Sequence, residues 1–327
     1  MQPSRRSILK TAGLGAALLG HPALLRAQAL PKVTTVALAT GFSVILTEYM
    51  AAKRFDKKHG VDIDIINSYA SVTNYYNDFT AGTFELGIGS WDTWAARFLA
   101  GVPLRLVCTV NNYDILYLIA KKGGPAAVDD LRGKTVAATL SSGAYRIAKL
   151  ALRQFHKLGA EKDLRVQNVE SPAAAVALVM AGAAEAGLTW EPNISVGMER
   201  EPALTTIYNV GQDFTRNAGI TLPYFSLALR NEAEARHPGV SARIAAAFED
   251  CITTAMANVD EVVALAAPKM KVSEAALKLA LTSKRLTFEP LGMQSPRGRE
   301  TILGAAEYLY KNGVIEKPLG ANFLASS

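Results

Sequence analysis

Three stretches of this 327-residue chain place hydroxyls, glycine and aromatic rings where an apolar strand gives way to a helix. The fullest is Ser141-Ser142-Gly143. Residues 134–139 before it are short, apolar and in part β-branched, which suits a buried strand. After it Ile147, Ala148, Ala151, Leu152 and Phe155 recur at helical spacing. Ser141 and Ser142 are helix-capping residue types, and Gly143 lets a ligand approach the backbone. A strand–turn–helix of this kind aims free N–H groups and the positive end of the helix dipole at whatever lies above the sheet edge, where a small anion or polar head is held well. A serine that only caps its helix would leave the same trace. Gly41-Phe42-Ser43 and Ser90-Trp91-Asp92 repeat the arrangement earlier in the chain. Arg146 is the cation nearest the serine turn, and Asp92 and Glu191 are acids beside two such turns.

Covalent chemistry finds no support in the pattern. The chain has neither a Gly-x-Ser-x-Gly elbow nor a phosphate-binding P-loop. Beyond residue 29 the histidines are His59, His156 and His237, scattered and without metal-ligand spacing to one another or to Cys108 and Cys251. The two cysteines stand far apart in apolar surroundings and read as buried free thiols, with a disulfide the alternative in an oxidising compartment. No cofactor and no metal is expected.

The elements that must position the turns alternate. Strands are expected at 33–39, 61–67, 86–89, 104–110 and 114–121, and again at 134–139, 164–169, 186–190, 204–210 and 224–230. Helices lie between most of them, at 44–58, 71–81, 93–100, 143–158 and 172–181. This alternation argues for parallel sheets with crossover helices in two similar halves. Lys121-Lys122-Gly123-Gly124-Pro125 reads as the boundary between them. From about 240 to 311 the chain is helical almost throughout, with stops expected near Pro268 and Pro290, and these helices should cover the back of the first half.

Length and composition fit two soluble lobes: half of the residues are hydrophobic and a fifth are charged. The net charge of +6 is concentrated at the start, where residues 1–29 carry Arg5, Arg6, Lys10 and Arg26 and no acid; without those four positives the remainder is +2. With no basic patch elsewhere, nucleic acid is not a partner. The start itself reads as an export signal. Ser4-Arg5-Arg6-Ser7-Ile8-Leu9-Lys10 resembles a twin-arginine pattern, an apolar stretch too short to span a bilayer follows, and Ala27-Gln28-Ala29 fits cleavage after Ala29. No cysteine stands near that point to carry a lipid anchor.

Taken in order, Ala81-Gly82-Thr83-Phe84-Glu85-Leu86-Gly87-Ile88-Gly89-Ser90, Asp130-Leu131-Arg132-Gly133-Lys134-Thr135-Val136, Ser141-Ser142-Gly143-Ala144-Tyr145, Trp190-Glu191-Pro192, Tyr224-Phe225 and His237-Pro238 resemble the periplasmic solute-binding proteins of ABC importers. The resemblance covers nearly the whole mature chain and is to the nitrate, sulfonate and taurine type, which includes binders of thiamine pyrimidine precursors. It implies a type II periplasmic-binding-protein fold of the α/β class: two lobes, two hinge crossings and a ligand cleft between. The crossings would be 116–121 and 224–230, lobe 1 would be 30–118 plus 226–327, and lobe 2 would be 119–225.

Ligands of open α/β sheets sit outside the carboxyl ends of the strands. The candidate contacts are therefore Gly41, Phe42 and Ser43, Ser71, Ser90 and Trp91, Asn112 and Tyr113, Ser141, Ser142 and Gly143, Trp190 and Glu191, and Tyr224. Phe42, Trp91, Trp190 and Tyr224 could wall an organic ligand, while Trp94, one turn into its helix, reads as core. The implied function is capture of a small organic anion, such as an aliphatic sulfonate or a taurine-like solute, by a monomer that closes on it and delivers it to the ABC permease. The alternative is a neutral or aromatic heterocycle such as a pyrimidine precursor, for which Glu191 would accept a hydrogen bond. Two remoter relatives of the fold fit less well: a pyrimidine synthase whose cysteine-rich motif is missing here, and a regulator's sensing domain that would need a DNA-binding segment.

Overall fold

The computed structural model describes residues 29–39 and 41–326; the export signal read at residues 1–29 lies outside them but for Ala29. The chain begins with β1 (Lys32–Leu38), α1 (Ser43–Lys53), α2 (Phe55–Lys58), β2 (Asp62–Tyr69), α3 (Val72–Ala81), β3 (Leu86–Ser90), α4 (Trp91–Leu99) and β4 (Leu104–Thr109). It continues through β5 (Leu116–Lys121), β6 (Thr135–Ala138), α5 (Gly143–His156), α6 (Ala160–Asp163), β7 (Arg165–Asn168), α7 (Pro172–Met180), β8 (Ala186–Trp190), α8 (Asn193–Arg200), β9 (Leu204–Asn209) and α9 (Val210–Ala218). It ends with β10 (Phe225–Arg230), α10 (Asn231–Arg236), α11 (Val240–Ala257), α12 (Val259–Met270), α13 (Glu274–Thr282), β11 (Leu291–Gly292) and α14 (Pro296–Lys311).

The strands form two sheets, ordered β11-β4-β10-β3-β1-β2 and β7-β6-β8-β5-β9. Each sheet contains one long antiparallel strand set between its neighbours: β10 runs against β3 and β4, and β5 runs against β8 and β9. The reason lies in the connectivity. β5 and β10 are the first strands after the chain passes from one lobe to the other. They enter at the cleft and run away from it, against strands whose carboxyl ends face the cleft.

The crossings accordingly come just before the two segments expected from sequence, sharing only Tyr224 with them. Residues 116–121 and 225–230 are full members of the second and first sheets. The chain passes between lobes at 110–115 and 219–224, as a short antiparallel pair: Val110 N donates to Phe225 O at 2.7 Å, Tyr224 N to Asn111 O at 2.8 Å and Tyr113 N to Leu222 O at 2.9 Å. An apolar strand looks the same in sequence whichever sheet takes it. Lys121-Lys122-Gly123-Gly124-Pro125 is not a lobe boundary either. It is a turn inside the second lobe, where Lys122 N donates to Ala203 O at 2.8 Å and Gly124 N to Lys121 O at 2.9 Å.

One further departure has a local cause. The helix expected over 44–58 breaks at Arg54, which adopts φ 55°, and the chain bends so that Phe55 buries in the core. The stop expected near Pro268 comes two residues on, at Met270, with Pro268 in the last turn of α12. The C-terminal helices do cover the first sheet, with α11 and α12 against α1, yet α13 also packs on α8 of the second lobe. One buried apolar cluster runs from the first sheet through Tyr113 and Tyr224 to Trp190 and to Ile147 and Ala151 of α5. A smaller one, with Ala175, Val176, Val179 and Ile194, lies under α7.

Candidate functional site

Two helices start face to face across the cleft. α4 leaves β3 at Ser90, and α5 begins at Gly143 after Ser142 caps it by accepting from Tyr145 N at 3.3 Å. The approach is close enough that only glycine fits at 143. A Cβ there would lie 2.8 Å from Asp92 Oδ2 and closer still to Ser90 Oγ and Asp92 Oδ1. Asp92, in the first turn of α4, thus stands before two positive helix ends at once. Its Oδ1 accepts from the Ser90 hydroxyl and, at 2.9 Å, from Tyr113 OH. Its Oδ2 accepts from Arg146 Nε at 3.0 Å and Nη2 at 2.7 Å, and the same Nη2 reaches Thr93 Oγ1 at 2.6 Å. The carboxylate is 1% exposed. Desolvation works against the Arg146 cation, and the adjacent Asp92 carboxylate more than offsets it, holding the guanidinium above its ordinary range.

Beside this polar group lies an aromatic floor. Tyr113 and Tyr224, one from each crossing, stack with centroids 4.1 Å apart. Trp190 meets Tyr224 edge-on at 5.9 Å and Phe225 at 5.8 Å, and Phe42 meets Phe225 at 4.6 Å and Phe288 at 5.6 Å. Burial pushes both tyrosine phenols well up from their ordinary value, so both stay protonated, and Asp92 adds to the effect at Tyr113. Trp91 N donates to Tyr224 O at 2.9 Å, tying the start of α4 to the hinge. Among the described residues, the buried indole N–H groups of Trp91 and Trp190 and the hydroxyl of Thr139 lack a hydrogen-bond partner. All three stand at the carboxyl ends of strands β3, β8 and β6.

Of the expected residues, Phe42, Ser90, Trp91, Tyr113, Ser142, Gly143, Trp190 and Tyr224 come together here. Others stand apart. Ser43 spends its hydroxyl on its own turn, accepting from Leu38 N at 3.2 Å, and Gly41 donates to Leu38 O at 2.9 Å in the same turn. Ser71 and Ser141 lie at the lips. Ser71 caps α3 and donates to Glu170 Oε2 of the second lobe at 2.9 Å, and Ser141 meets Thr73 of the first at 3.0 Å. Asn112 accepts from Asp114 N and lines a separate cavity of about 230 Å³ beside the hinge, with Asn111, Thr221, Glu289 and Arg297.

Glu191 is fully buried and its carboxylate is committed. It accepts from Ser195 N at 2.9 Å, from Ser195 Oγ at 2.8 Å and from Arg285 Nε at 2.6 Å. Trp94 is core, packed on Tyr76 and Phe79. Sequence reasoning passed over Tyr76, whose hydroxyl accepts from Ser90 N at 2.9 Å, and Thr139 and Arg285. Tyr76 and Arg285 are tied in from other elements and carry no local signal. Thr139 stands two residues before Ser141, and the end of its strand was the clue. Cys108 and Cys251 are free and buried; burial pushes both thiols up, that of Cys251 to about 12.

Comparison with known proteins places this geometry. A sequence profile described as "ABC transporter, phosphonate, periplasmic substrate-binding protein" matches residues 45–261, more than half of the chain. A sequence of Brucella abortus (strain 2308) whose name describes it as a binding protein is 25% identical over 290 residues, 86% of each chain. Among solved structures, the alkanesulfonate-binding protein SsuA of Xanthomonas axonopodis pv. citri, bound to MOPS, superposes with a TM-score of 0.73 at 16% identity, over 91% of this chain and 99% of its own. The periplasmic aliphatic sulphonate binding protein SsuA of Escherichia coli gives 0.71 at 16% identity, over 90% and 92%. These two likenesses establish the two-lobe α/β fold, and the profile match establishes the family. The chain belongs to the periplasmic substrate-binding proteins of ABC transporters, the exported component that captures a small solute and works with the importer's membrane subunits.

Proposed function

We propose that this chain, as a monomer, binds a small organic oxyanion, a sulfonate or a phosphonate, between its lobes and closes on it about the 110–115 and 219–224 crossings. The observation that carries the reading is the set of donors converging on one carboxylate. The hydroxyls of Ser90 and Tyr113, the guanidinium of Arg146 and two helix starts surround Asp92. A place that holds a buried carboxylate in this way has the donors for a sulfonate or phosphonate head. Helix ends alone fall short, since each gives about 0.3–1 kcal/mol when exposed. Micromolar affinity needs about 8 kcal/mol, so Arg146 and the burial of an organic tail against Trp190, Tyr224 and Phe42 must supply the rest. The sulfonate ligand named for one structural relative and the phosphonate named for the family support the same chemistry. Closure shifts an open population to a closed one that the permease receives.

The test is a thermal-shift panel on the chain from Leu30, with alkyl sulfonates, taurine, alkyl phosphonates, nitrate and aminopyrimidines. At 100 times its dissociation constant a ligand adds about 2.7 kcal/mol of stability. Stabilisation by sulfonates or phosphonates is expected. Stabilisation by aminopyrimidines alone would refute the reading and assign the aromatic floor and the unpartnered indoles to a heterocycle.

A further inference from the structure

The hinge ribbon has two faces, because successive side chains of an extended segment alternate between opposite sides. Tyr113 and Tyr224 stack on the side of the cleft. Their neighbours Asn112 and Pro223, which pair as an antiparallel bridge, line the separate cavity of about 230 Å³. That cavity shares no residue with the group around Asp92 or with the aromatic floor. Its other walls come from the end of β4, the segment that leads into β11 and the first two turns of α14.

The depth of the cavity is polar but uncharged. Thr109 and Asn111, each 2% exposed, stand there. The hinge fixes the Asn111 amide: its Oδ1 accepts from Phe225 N at 3.0 Å, which leaves Nδ2 a donor without a partner among the described residues. A buried donor of this kind costs free energy until an acceptor reaches it. Thr301 lines the wall from α14; its hydroxyl donates to Arg297 O at 2.8 Å and keeps its oxygen as an acceptor. The charged groups stand at the rim, both more than half exposed, and neutralise each other, Arg297 Nη2 donating to Glu289 Oε1 at 2.9 Å.

We propose that this hinge cavity is a second small-molecule site, taking a neutral polyhydroxyl compound of monosaccharide size or less. Each hydroxyl of such a compound both donates and accepts. It therefore offers an acceptor to Asn111 Nδ2 and a donor to the Thr301 oxygen or to Glu289, while its C–H faces lie on Pro223 and Leu291. An ion finds no unspent counter-charge, since Glu289 and Arg297 use theirs on each other. The volume sets the size, falling below the roughly 300–1,000 Å³ of ordinary ligand pockets. An occupant touches both crossings, at Asn112 and Pro223, and needs nothing from the oxyanion cleft.

The experiment is saturation-transfer NMR on the full mature chain, titrated separately with D-ribose, D-glucose and myo-inositol, with acetate and methylammonium as charged comparators. This readout reports contact, not the general stabilisation that sugars give by exclusion from the surface. Saturable transfer to at least one polyol is expected, and none to the two ions. Thr301→Trp, which fills the cavity, is expected to abolish it. Asn111→Asp keeps the acceptor for Phe225 N and loses the donor, and is expected to weaken binding about 2- to 12-fold. Trp190→Ala, on the cleft side, is expected to leave it unchanged. No saturable transfer to any polyol, or transfer as strong in Thr301→Trp as in the wild type, would overturn the site. Transfer lost in Trp190→Ala but kept in Thr301→Trp would overturn it too, by placing the polyol in the cleft. Binding of acetate or methylammonium in place of the polyols would overturn the ligand class. Should Thr301→Trp fail to fold, Asn111→Asp decides, unchanged affinity counting against the site. Failure of all three polyols leaves sulfonate or phosphonate capture standing, because the two sites share no residue.

Discussion

Replacing Gly143 by alanine is a perturbation that separates closing from folding. The added methyl falls against Ser90 Oγ and both carboxylate oxygens of Asp92, and those atoms belong to the other lobe. Within its own lobe the site welcomes alanine. Gly143 is the first residue of α5, its φ is not in the left-handed region, and Gly→Ala at a compatible position stabilises by about 0.4–1 kcal/mol. The penalty therefore attaches to the closed state alone. Ser90 and Asp92 cannot yield freely, because Ser90 is pinned by Tyr76 through its N–H and Asp92 by Tyr113 and Arg146. Overpacking of this kind costs about 1–3 kcal/mol, which at 1.4 kcal/mol per tenfold weakens solute binding by roughly 5- to 150-fold. Thermal unfolding of the empty protein and solute affinity by titration calorimetry are the two readouts. The expected result is much weaker binding with the secondary structure retained. Wild-type affinity in the alanine variant would refute the reasoning, because the bound state would then not bring residue 143 against residues 90 and 92.

Two further outcomes follow from burial. Cys108 and Cys251 should react with a thiol reagent at pH 8 only as fast as the chain opens, since both are buried and the Cys251 thiol is pushed up to about 12; immediate labelling of two thiols in the native protein would contradict that. Stability should fall in alkali. Burial lifts the phenol of Tyr76 from 10.0 to about 12 and those of Tyr113 and Tyr224 well above 10.0. Above pH 10 the unfolded chain therefore loses protons that the folded chain keeps. The stability these phenols contribute is complete below pH 10, and each costs about 1.4 kcal/mol per pH unit above it until its folded value is reached. Urea denaturation at pH 9 and pH 11 measures the difference, and equal midpoints would remove the claim.

What the sequence made legible was local. The strand-to-helix turns were readable because the capping residue and the helix it caps are neighbours: Ser142 bonds Tyr145 N, three residues on. The double-wound halves were readable from alternation. The crossings were misplaced because an apolar strand does not record which sheet accepts it. The break at Arg54 left no glycine or proline to mark it, and tertiary packing of Phe55 decided the bend. The contacts that close the cleft were least legible of all. Arg146 and Asp92 are 54 positions apart, and Arg285 and Glu191 are 94 apart. No periodicity spans such intervals.

The two acids next to cleft turns show what this distance conceals. In sequence Asp92 and Glu191 look alike, each following a tryptophan at the end of a strand, and each opposes a small anion by its charge. In the fold their roles divide. Glu191 turns into the start of α8 and is matched by Arg285, so its charge is spent inside the closed interface and no longer argues against an anionic solute. Asp92 faces the opposite lobe and takes the donors that an anionic solute would need. The objection to an anion thus shifts from Glu191 to Asp92, and it changes in kind. It is no longer repulsion by an unpaired carboxylate but competition with a paired one, which a solute overcomes when its head binds Arg146 and the two helix starts better than Asp92 does and Asp92 recovers water on leaving. Selectivity in such a site is a difference between two oxyanions for one set of donors, and a sulfonate or phosphonate brings three oxygens where a carboxylate brings two.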